Sequence, residues 1–278
     1  MRLLVCTDLD RTLLPNGPEP ESPSARMLFG KLAAAPEITL AYVTGRNENL
    51  VREAIKAYEL PIPDFVLSDV GTSIYTCDRQ EWRPCAQWQE VIAGDWGGAS
   101  RAELAELLHD FDDLQLQEES NQNSYKLSYY APPQTDHKKL LARLQQRLRA
   151  KNINAGLIWS LDEPADRGLL DLIPACANKL HAIEFLMEKN EYGLDNTVFS
   201  GDSGNDLPVL VSPISSILVD NASIDVKREA RRLAASFGND QSLYLARGGF
   251  RGLNGNYAAG IVEGLFHYHP EILNLLDL

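Results

Sequence analysis

The densest group of chemically able side chains is Ser200-Gly201-Asp202-Ser203-Gly204-Asn205-Asp206, which directly follows an apolar run at residues 197–199. Three acidic or amide groups at a glycine-containing strand-to-helix junction suit coordination of a hard cation by oxygen. An Asx-type turn that caps a helix is the other use of the same residues. A second acidic pair, Asp8 and Asp10, closes the apolar run at residues 3–6. If the pleat continues through it, both carboxylates project on one side at the end of a strand; taken alone, the pair reads as a polar strand exit that caps the next turn. Lys179, beside Asn178, opens a helical pattern through Leu180, Ile183, Leu186 and Met187. A lysine in a first turn opposes the helix dipole, which a bound anion would help to explain; taken by itself, the residue reads as a flexible surface lysine. Thr44-Gly45-Arg46 ends the run at 38–43, and by itself it is a turn bearing a surface charge.

The elements that must carry these residues follow from periodicity. Short apolar runs at residues 3–6, 38–43 and 65–67 have the signature of fully buried strands, with helical patterns between them, so parallel pairing is expected. Asn47 is placed to cap a helix whose Leu50, Val51, Ala54, Ile55 and Tyr58 share a face. The alternation returns at residues 197–199, 217–219 and 243–245. Between the two stretches lies a mixed segment, with a capping box at Ser100 and Glu103, an amphipathic helix marked by Leu140, Leu141, Leu144 and Leu148, and strand-like pieces at 125–130 and 157–160. The reading is an α/β fold: a doubly wound, mainly parallel, Rossmann-like core sheet interrupted by an inserted α+β cap. The boundaries are 1–80 and 169–278 for the core and 81–168 for the cap, with joints near 77–84 and 165–172. An insertion at the carboxyl ends of parallel strands would lie over the place where such sheets bind ligands.

Composition narrows the partners. The chain has 278 residues, 44% hydrophobic and 23% charged, and carries a net charge of −13. Disorder, a disulfide scaffold, nucleic-acid binding and anionic membrane surfaces all fit poorly. A small anionic substrate remains compatible, because a metal ion and one or two cations reverse the sign inside one cleft. Cys6, Cys77, Cys85 and Cys176 form no zinc or redox spacing and read as buried apolar residues. Without a signal-like or membrane-length apolar segment, the expected location is the cytoplasm.

In their order and context, residues 8–12, Thr44, Lys179 and residues 201–206 resemble the four motifs of the haloacid-dehalogenase-like superfamily of phosphohydrolases. The resemblance covers nearly the whole chain, cap included. It implies that Asp8 attacks phosphorus to form an aspartyl-phosphate, while Asp10 protonates the leaving alkoxide and then takes a proton from water. It also implies Mg2+ held by Asp8, Asp202 and the Asp10 carbonyl, Thr44 and Lys179 on the transferring phosphate, and Asn205 and Asp206 orienting the metal shell and Lys179. The carboxyl group at position 10 implies a phosphatase or phosphomutase.

A closer resemblance is to sucrose-phosphate phosphatases and relatives acting on glycosyl phosphates, carried by residues 8–12, 41–46, 70–75, 122–130, 171–174 and 201–206. It implies a sugar-phosphate substrate: sucrose 6-phosphate first, with mannosylfructose phosphate, glucosyl- or mannosyl-3-phosphoglycerate and trehalose phosphate as alternatives. The implied substrate contacts are Thr44, Gly45, Arg46, Thr72, Ser73 and Lys179 in the core and Gln122, Asn123 and Lys126 in the cap. Arg11, in place of the Asn common in that family, and residues 250–257 depart from its pattern. The chain is read as a monomer, with the upstream glycosyl-phosphate synthase as its one macromolecular partner. A phospho-aspartate switch and a non-catalytic sugar-phosphate sensor are the readings from other classes.

Overall fold

The structure, a computed structural model, describes residues 2–78, 81–162 and 165–276. In chain order the elements are β1 (Leu3–Thr7), α1 (Ala25–Ala33), β2 (Ile38–Val43), α2 (Glu48–Tyr58), β3 (Phe65–Ser68), β4 (Ser73–Cys77), β5 (Trp82–Pro84), α3 (Ala86–Ala93), α4 (Arg101–Leu107), β6 (Gln115–Leu116), β7 (Leu127–Ala131) and α5 (His137–Arg149). They continue with β8 (Ala155–Asp162), β9 (Arg167–Pro174), α6 (Lys179–Lys189), β10 (Thr197–Gly201), α7 (Leu207–Leu210), β11 (Ser215–Leu218), α8 (Ile224–Phe237), β12 (Leu243–Leu245) and α9 (Ala258–Tyr268). The chain divides into two compact units, residues 1–84 with 179–278 and residues 85–178.

In the first unit the sheet order is β12-β11-β10-β1-β2-β3-β4-β5. The strands from β12 to β3 are parallel, and β4 and β5 turn back antiparallel. β1 is buried at all five positions, as its apolar sequence requires of a strand covered on both faces. Its register decides where the chemistry falls. Thr7 pairs with Tyr42 on one side and Ser200 on the other. Asp8, the next residue, therefore leaves β1 level with Val43 and Gly201, the last residues of β2 and β10, and the carboxyl edges of the three strands meet. Asn47 caps α2 by accepting the Leu50 N–H at 3.0 Å, and Val51 and Ala54 form its buried face. Leu50, expected on that face, is 40% exposed and lines the cavity at the strand ends instead.

The second unit is an antiparallel sheet, β6-β7-β9-β8. Leu104, Leu140, Leu144 and Leu148 from α4 and α5 pack with Leu127, Tyr129, Leu170 and Leu172 of the strands in one core. The sequence-based boundaries of 81 and 168 move to 85 and 178. β5 pairs with β4 and so belongs to the first unit, whereas β9 lies between β7 and β8 and draws residues 169–174 into the second. Pairing partners distant in sequence decide this, and periodicity does not report them. None of the four cysteines is in a disulfide; Cys6 alone is fully buried, and the other three are half-buried. No helix of the described residues is long and apolar enough to cross a membrane.

α9 packs so close to β11 that a Cβ on Gly264 would lie 2.4, 2.6 and 2.7 Å from three side-chain carbons of Ile217. Alanine gains about 1 kcal/mol of helix propensity over glycine, but overpacking a filled core costs typically about 1–3 kcal/mol. Because the overlap meets every branch of Ile217, rotation does not relieve it. Gly264→Ala is therefore expected to lower stability by roughly 1–2 kcal/mol, read as a lower urea midpoint at unchanged slope.

Candidate active site

The three strand ends converge on an ion network. Lys179, the first residue of α6, is 1% exposed. Its ammonium lies 2.8 Å from Asp8 Oδ1 and 2.7 Å from Asp206 Oδ1, with Asn205 Oδ1 at 3.4 Å. A buried cation at a helix start is tolerated only with such compensation. Burial alone would push its pKa down, and the two carboxylates outweigh that and push it up. Asp206 is fully enclosed: its Oδ2 accepts the backbone N–H groups of Asp202 and Ser203 at 3.1 and 3.0 Å. Gly201 is needed beneath it, since a Cβ there would lie 2.6 Å from the Asp206 carboxyl carbon.

Asp8 and Asp202 face each other across Thr12, whose hydroxyl lies 3.1 Å from Asp202 Oδ1 and 3.4 Å from Asp8 Oδ2. Its single proton can serve either. Asp8, Asp202 and Asp206 each offer an oxygen within 4.8 Å of the others. Burial, with repulsion from the neighbouring carboxylates, pushes Asp8 up to about 8 against the pull of Lys179. The same forces push Asp202 up to about 7, opposed by the Thr12 hydroxyl and by Arg11. Excess buried negative charge and an all-oxygen donor set fit a hard divalent cation. Since Asp206 is already committed to Lys179 and to two amides, Asp8 and Asp202 are the carboxylates placed to hold it.

Asp10 is arranged differently. Arg46 grips both of its oxygens, Nε to Oδ2 and NH2 to Oδ1 at 2.7 Å each, and Asn16 Nδ2 donates to Oδ1 at 2.7 Å. Burial would raise the pKa of Asp10, but these bonds and the guanidinium charge hold it below the usual carboxylate range. Arg46, expected as a solvated charge when read alone, is three-quarters buried in this pair. Asp8, Asp10, Arg11, Gly45, Arg46, Leu50, Asp202, Ser203 and Asn205 line a cavity of about 350 Å3.

Asp8, Asp10, Gly45, Arg46, Asp202, Asn205, Asp206, Lys179 and Thr44 thus share one sheet edge. The Thr44 hydroxyl accepts the Arg46 N–H at 3.2 Å. Thr72 and Ser73 adjoin this edge through the preceding turn, where the N–H groups of Asp69 and Val70 reach the Arg46 and Thr44 carbonyls. Gln122, Asn123 and Lys126 form a separate group in the second unit. The Gln122 amide accepts the Ser128 N–H at 2.7 Å and donates to the Gln117 and Ser128 carbonyls. Asn123 accepts the Tyr125 N–H at 2.8 Å, and Lys126 Nζ lies 4.0 Å from Asp171. Sequence reasoning missed Asn16, Asn221 and the bridging role of Thr12. Thr12 stood inside the segment that carried the resemblance, and Asn221 follows the apolar run at 217–219; Asn16 had no signal.

Parallel strands with helices between them, this strand-edge acid cluster and the second unit make the molecule a haloacid-dehalogenase-like phosphatase. More narrowly, the chain belongs to the sucrose-6F-phosphate phosphohydrolase family, whose profile matches residues 1–269. It is 54% identical over 271 residues to a putative HAD-like hydrolase of Nitrosococcus oceani, covering 97% of this chain and 72% of that one. It is 25% identical to the mannosylfructose-phosphate phosphatase of Agrobacterium fabrum, covering 95% of this chain and 96% of the other. Among solved structures, the sucrose-phosphatase of Synechocystis sp. in complex with sucrose and phosphate superposes with a TM-score of 0.73 at 25% identity, covering 96% of this chain and 98% of that one. The chain spans about half the length of several plant sucrose-phosphatases that it matches. Family membership sets aside the switch and sensor readings.

The raised carboxylates give metal-free protein a pH dependence with a definite sign. Folded Asp8 and Asp202 bind protons more tightly than in the unfolded chain, so stability grows as pH falls from about 8 toward the ordinary carboxylate range, each pKa unit being worth about 1.4 kcal/mol. In a chelating buffer the thermal midpoint is expected to rise between pH 8 and pH 6, and Asp202→Asn is expected to flatten that rise.

Proposed function

We propose that this phosphatase hydrolyses a glycosyl phosphate, sucrose 6-phosphate foremost, in a magnesium-dependent reaction through an aspartyl-phosphate. The observation that carries the chemistry is the single buried Lys179 shared between Asp8 and Asp206 beside Asp202. The substrate rests on the family and on the sucrose and phosphate bound by the Synechocystis relative.

Asp8, Asp202 and the backbone carbonyl of Asp10 would hold the magnesium ion, which supplies neutralisation of the phosphate oxygens. Lys179 aligns Asp8 and opposes the upward push on its pKa, a bound cation would complete its ionisation, and Thr44 and Lys179 neutralise the transferring group. Asp8 attacks phosphorus in line, a P–O bond to Asp8 forms, and the bond to the sugar oxygen breaks. Asp10 gives its proton to that oxygen; it then takes one from the water whose attack on phosphorus releases phosphate and restores Asp8. While Arg46 grips it, Asp10 is held as the ion, so this step requires the guanidinium to let go. A phosphate dianion entering beside Arg46 is a competing acceptor for the same fork.

Gly45, Thr72 and Ser73 are further substrate contacts in this reading. In the second unit, Gln122 holds the 117–128 segment through backbone bonds; Asn123 and Lys126 enter this reading as sugar contacts through the family resemblance. Mannosylfructose phosphate is the second reading, favoured by the near full-length match to the Agrobacterium relative.

Phosphate release with magnesium, measured on sucrose 6-phosphate, mannosylfructose phosphate, glucose 6-phosphate and an aryl phosphate, is expected to favour sucrose 6-phosphate in kcat/KM. Asp8→Asn is expected to lose at least about 10^3-fold of that activity, and Asp10→Asn roughly 10^2–10^4-fold with KM little changed. Turnover of the aryl phosphate alone would refute the substrate, and an active Asp8→Asn protein would refute the mechanism.

A further inference from the structure

Arg11 and the segment at 250–257 have no part in the chemistry above, yet they meet at the metal side of the site. The direction of the Asp10 carbonyl is set by the peptide plane shared with Arg11. Arg11 sits in the left-handed region, φ +57°, which a residue with a side chain seldom adopts. Both ends of its backbone are tied. Its N–H donates to Asn16 Oδ1 at 2.7 Å, and its carbonyl accepts Asn221 Nδ2 at 2.6 Å.

Asn221 is 5% exposed, two residues past the Val219 N–H that bonds to the Gly201 carbonyl. Its own side-chain oxygen accepts the Tyr257 N–H at 2.8 Å. Tyr257 in turn donates its hydroxyl to Glu19 at 3.0 Å, and Glu19 lies 3.4 Å from the Arg11 guanidinium. That guanidinium reaches the Asn221 carbonyl at 3.5 Å and Asp202 Oδ2 at 3.6 Å. Farther along the same segment, Asn254 and Asn256 donate to the Pro20 carbonyl, while Glu263 accepts the N–H groups of Arg247 and Gly248. The segment is therefore a buttress fixed at its root, and the Asn221 amide connects it to the backbone that follows Asp10.

We infer that Asn221 is a positioning residue for the divalent cation: it holds Arg11 in its left-handed conformation and so aims the Asp10 carbonyl, with the 250–257 segment as its anchor. The inference rests on the magnesium site proposed above. A neutral amide suits the task because it donates to one carbonyl and accepts from one amide at once. A carboxylate keeps the bond from Tyr257 but offers no proton to Arg11.

Magnesium is titrated calorimetrically into the full chain, wild type and Asn221→Asp, and thermal midpoints are taken in EDTA. Loss of a partner that orients a metal ligand typically costs about 10–100-fold in metal affinity. Asn221→Asp is expected to bind magnesium at least about tenfold more weakly and to need correspondingly more for half-maximal activity, with kcat at saturating metal within about threefold of wild type. Asn239→Asp is the control: it removes an amide-to-carbonyl bond to Val211 beyond the end of α8, and it is expected to leave magnesium affinity unchanged. Equal affinity in Asn221→Asp and wild type would overturn the inference, as would an equal loss in Asn239→Asp. A wild type that binds no magnesium would overturn the metal reading beneath it as well. Should Asn221→Asp fail to unfold cooperatively in EDTA, Asn221→Ser is measured against the same criterion.

Discussion

The sharing of one buried ammonium between Asp8 and Asp206 is the constraint on which the rest of the site depends. Leaving a single partner of a buried charge group uncompensated costs about 3–5 kcal/mol, so Lys179, Asp8 and Asp206 persist only as a set. The sheet supplies that set. With β1 flanked by β2 and β10 in matched register, Asp8 leaves β1 beside the ends of β2 and β10, where Thr44 and Asp202 follow as the first residues past those strands. Gly201 lets the Asp206 carboxylate lie against the strand, and α6 delivers Lys179 at its first residue. One cation does not balance three carboxylates, and the remainder appears in the raised pKa values of Asp8 and Asp202. A hard divalent cation would complete that balance.

The two carboxylates near the start of the chain are treated in opposite ways. Asp8 is buried beside like charges and is strained electrostatically, whereas Asp10 is satisfied by Arg46 and Asn16. In the proposed reaction, a pair pushed apart in this manner would divide the labour of attack and proton transfer. Asp10 would then have to exchange its partner before acting, which would link proton transfer to the arrival of an anion beside Arg46.

Much of this was legible in the sequence because the relevant signals are local. The apolar runs gave β1, β2, β3 and β10, Asn47 and Ser100 capped the helices that they foreshadowed, and Asp8, Asp10, Lys179 and residues 201–206 fell at strand ends or a helix start. What was not legible depends on partners distant in the chain. β9 joined the second unit because β7 and β8 bracket it, Leu50 left the helix face for the cavity, and Arg46 found Asp10 thirty-six positions away. Gln122 shows the same limit from the other side, since period-2 alternation cannot separate a hydroxyl-binding amide from one committed to the Ser128 backbone. The family likeness carried residue types to their places; the geometry then showed which contacts those side chains already hold.

The central claim is that Asp8 becomes covalently phosphorylated in turnover. The direct measurement is rapid acid quench of the enzyme with substrate labelled in its phosphate, followed by peptide mapping with and without hydroxylamine. Label is expected on the peptide that contains Asp8, removed by hydroxylamine and absent from Asp8→Asn. Turnover with no labelled peptide, or with label on a different residue, would contradict it.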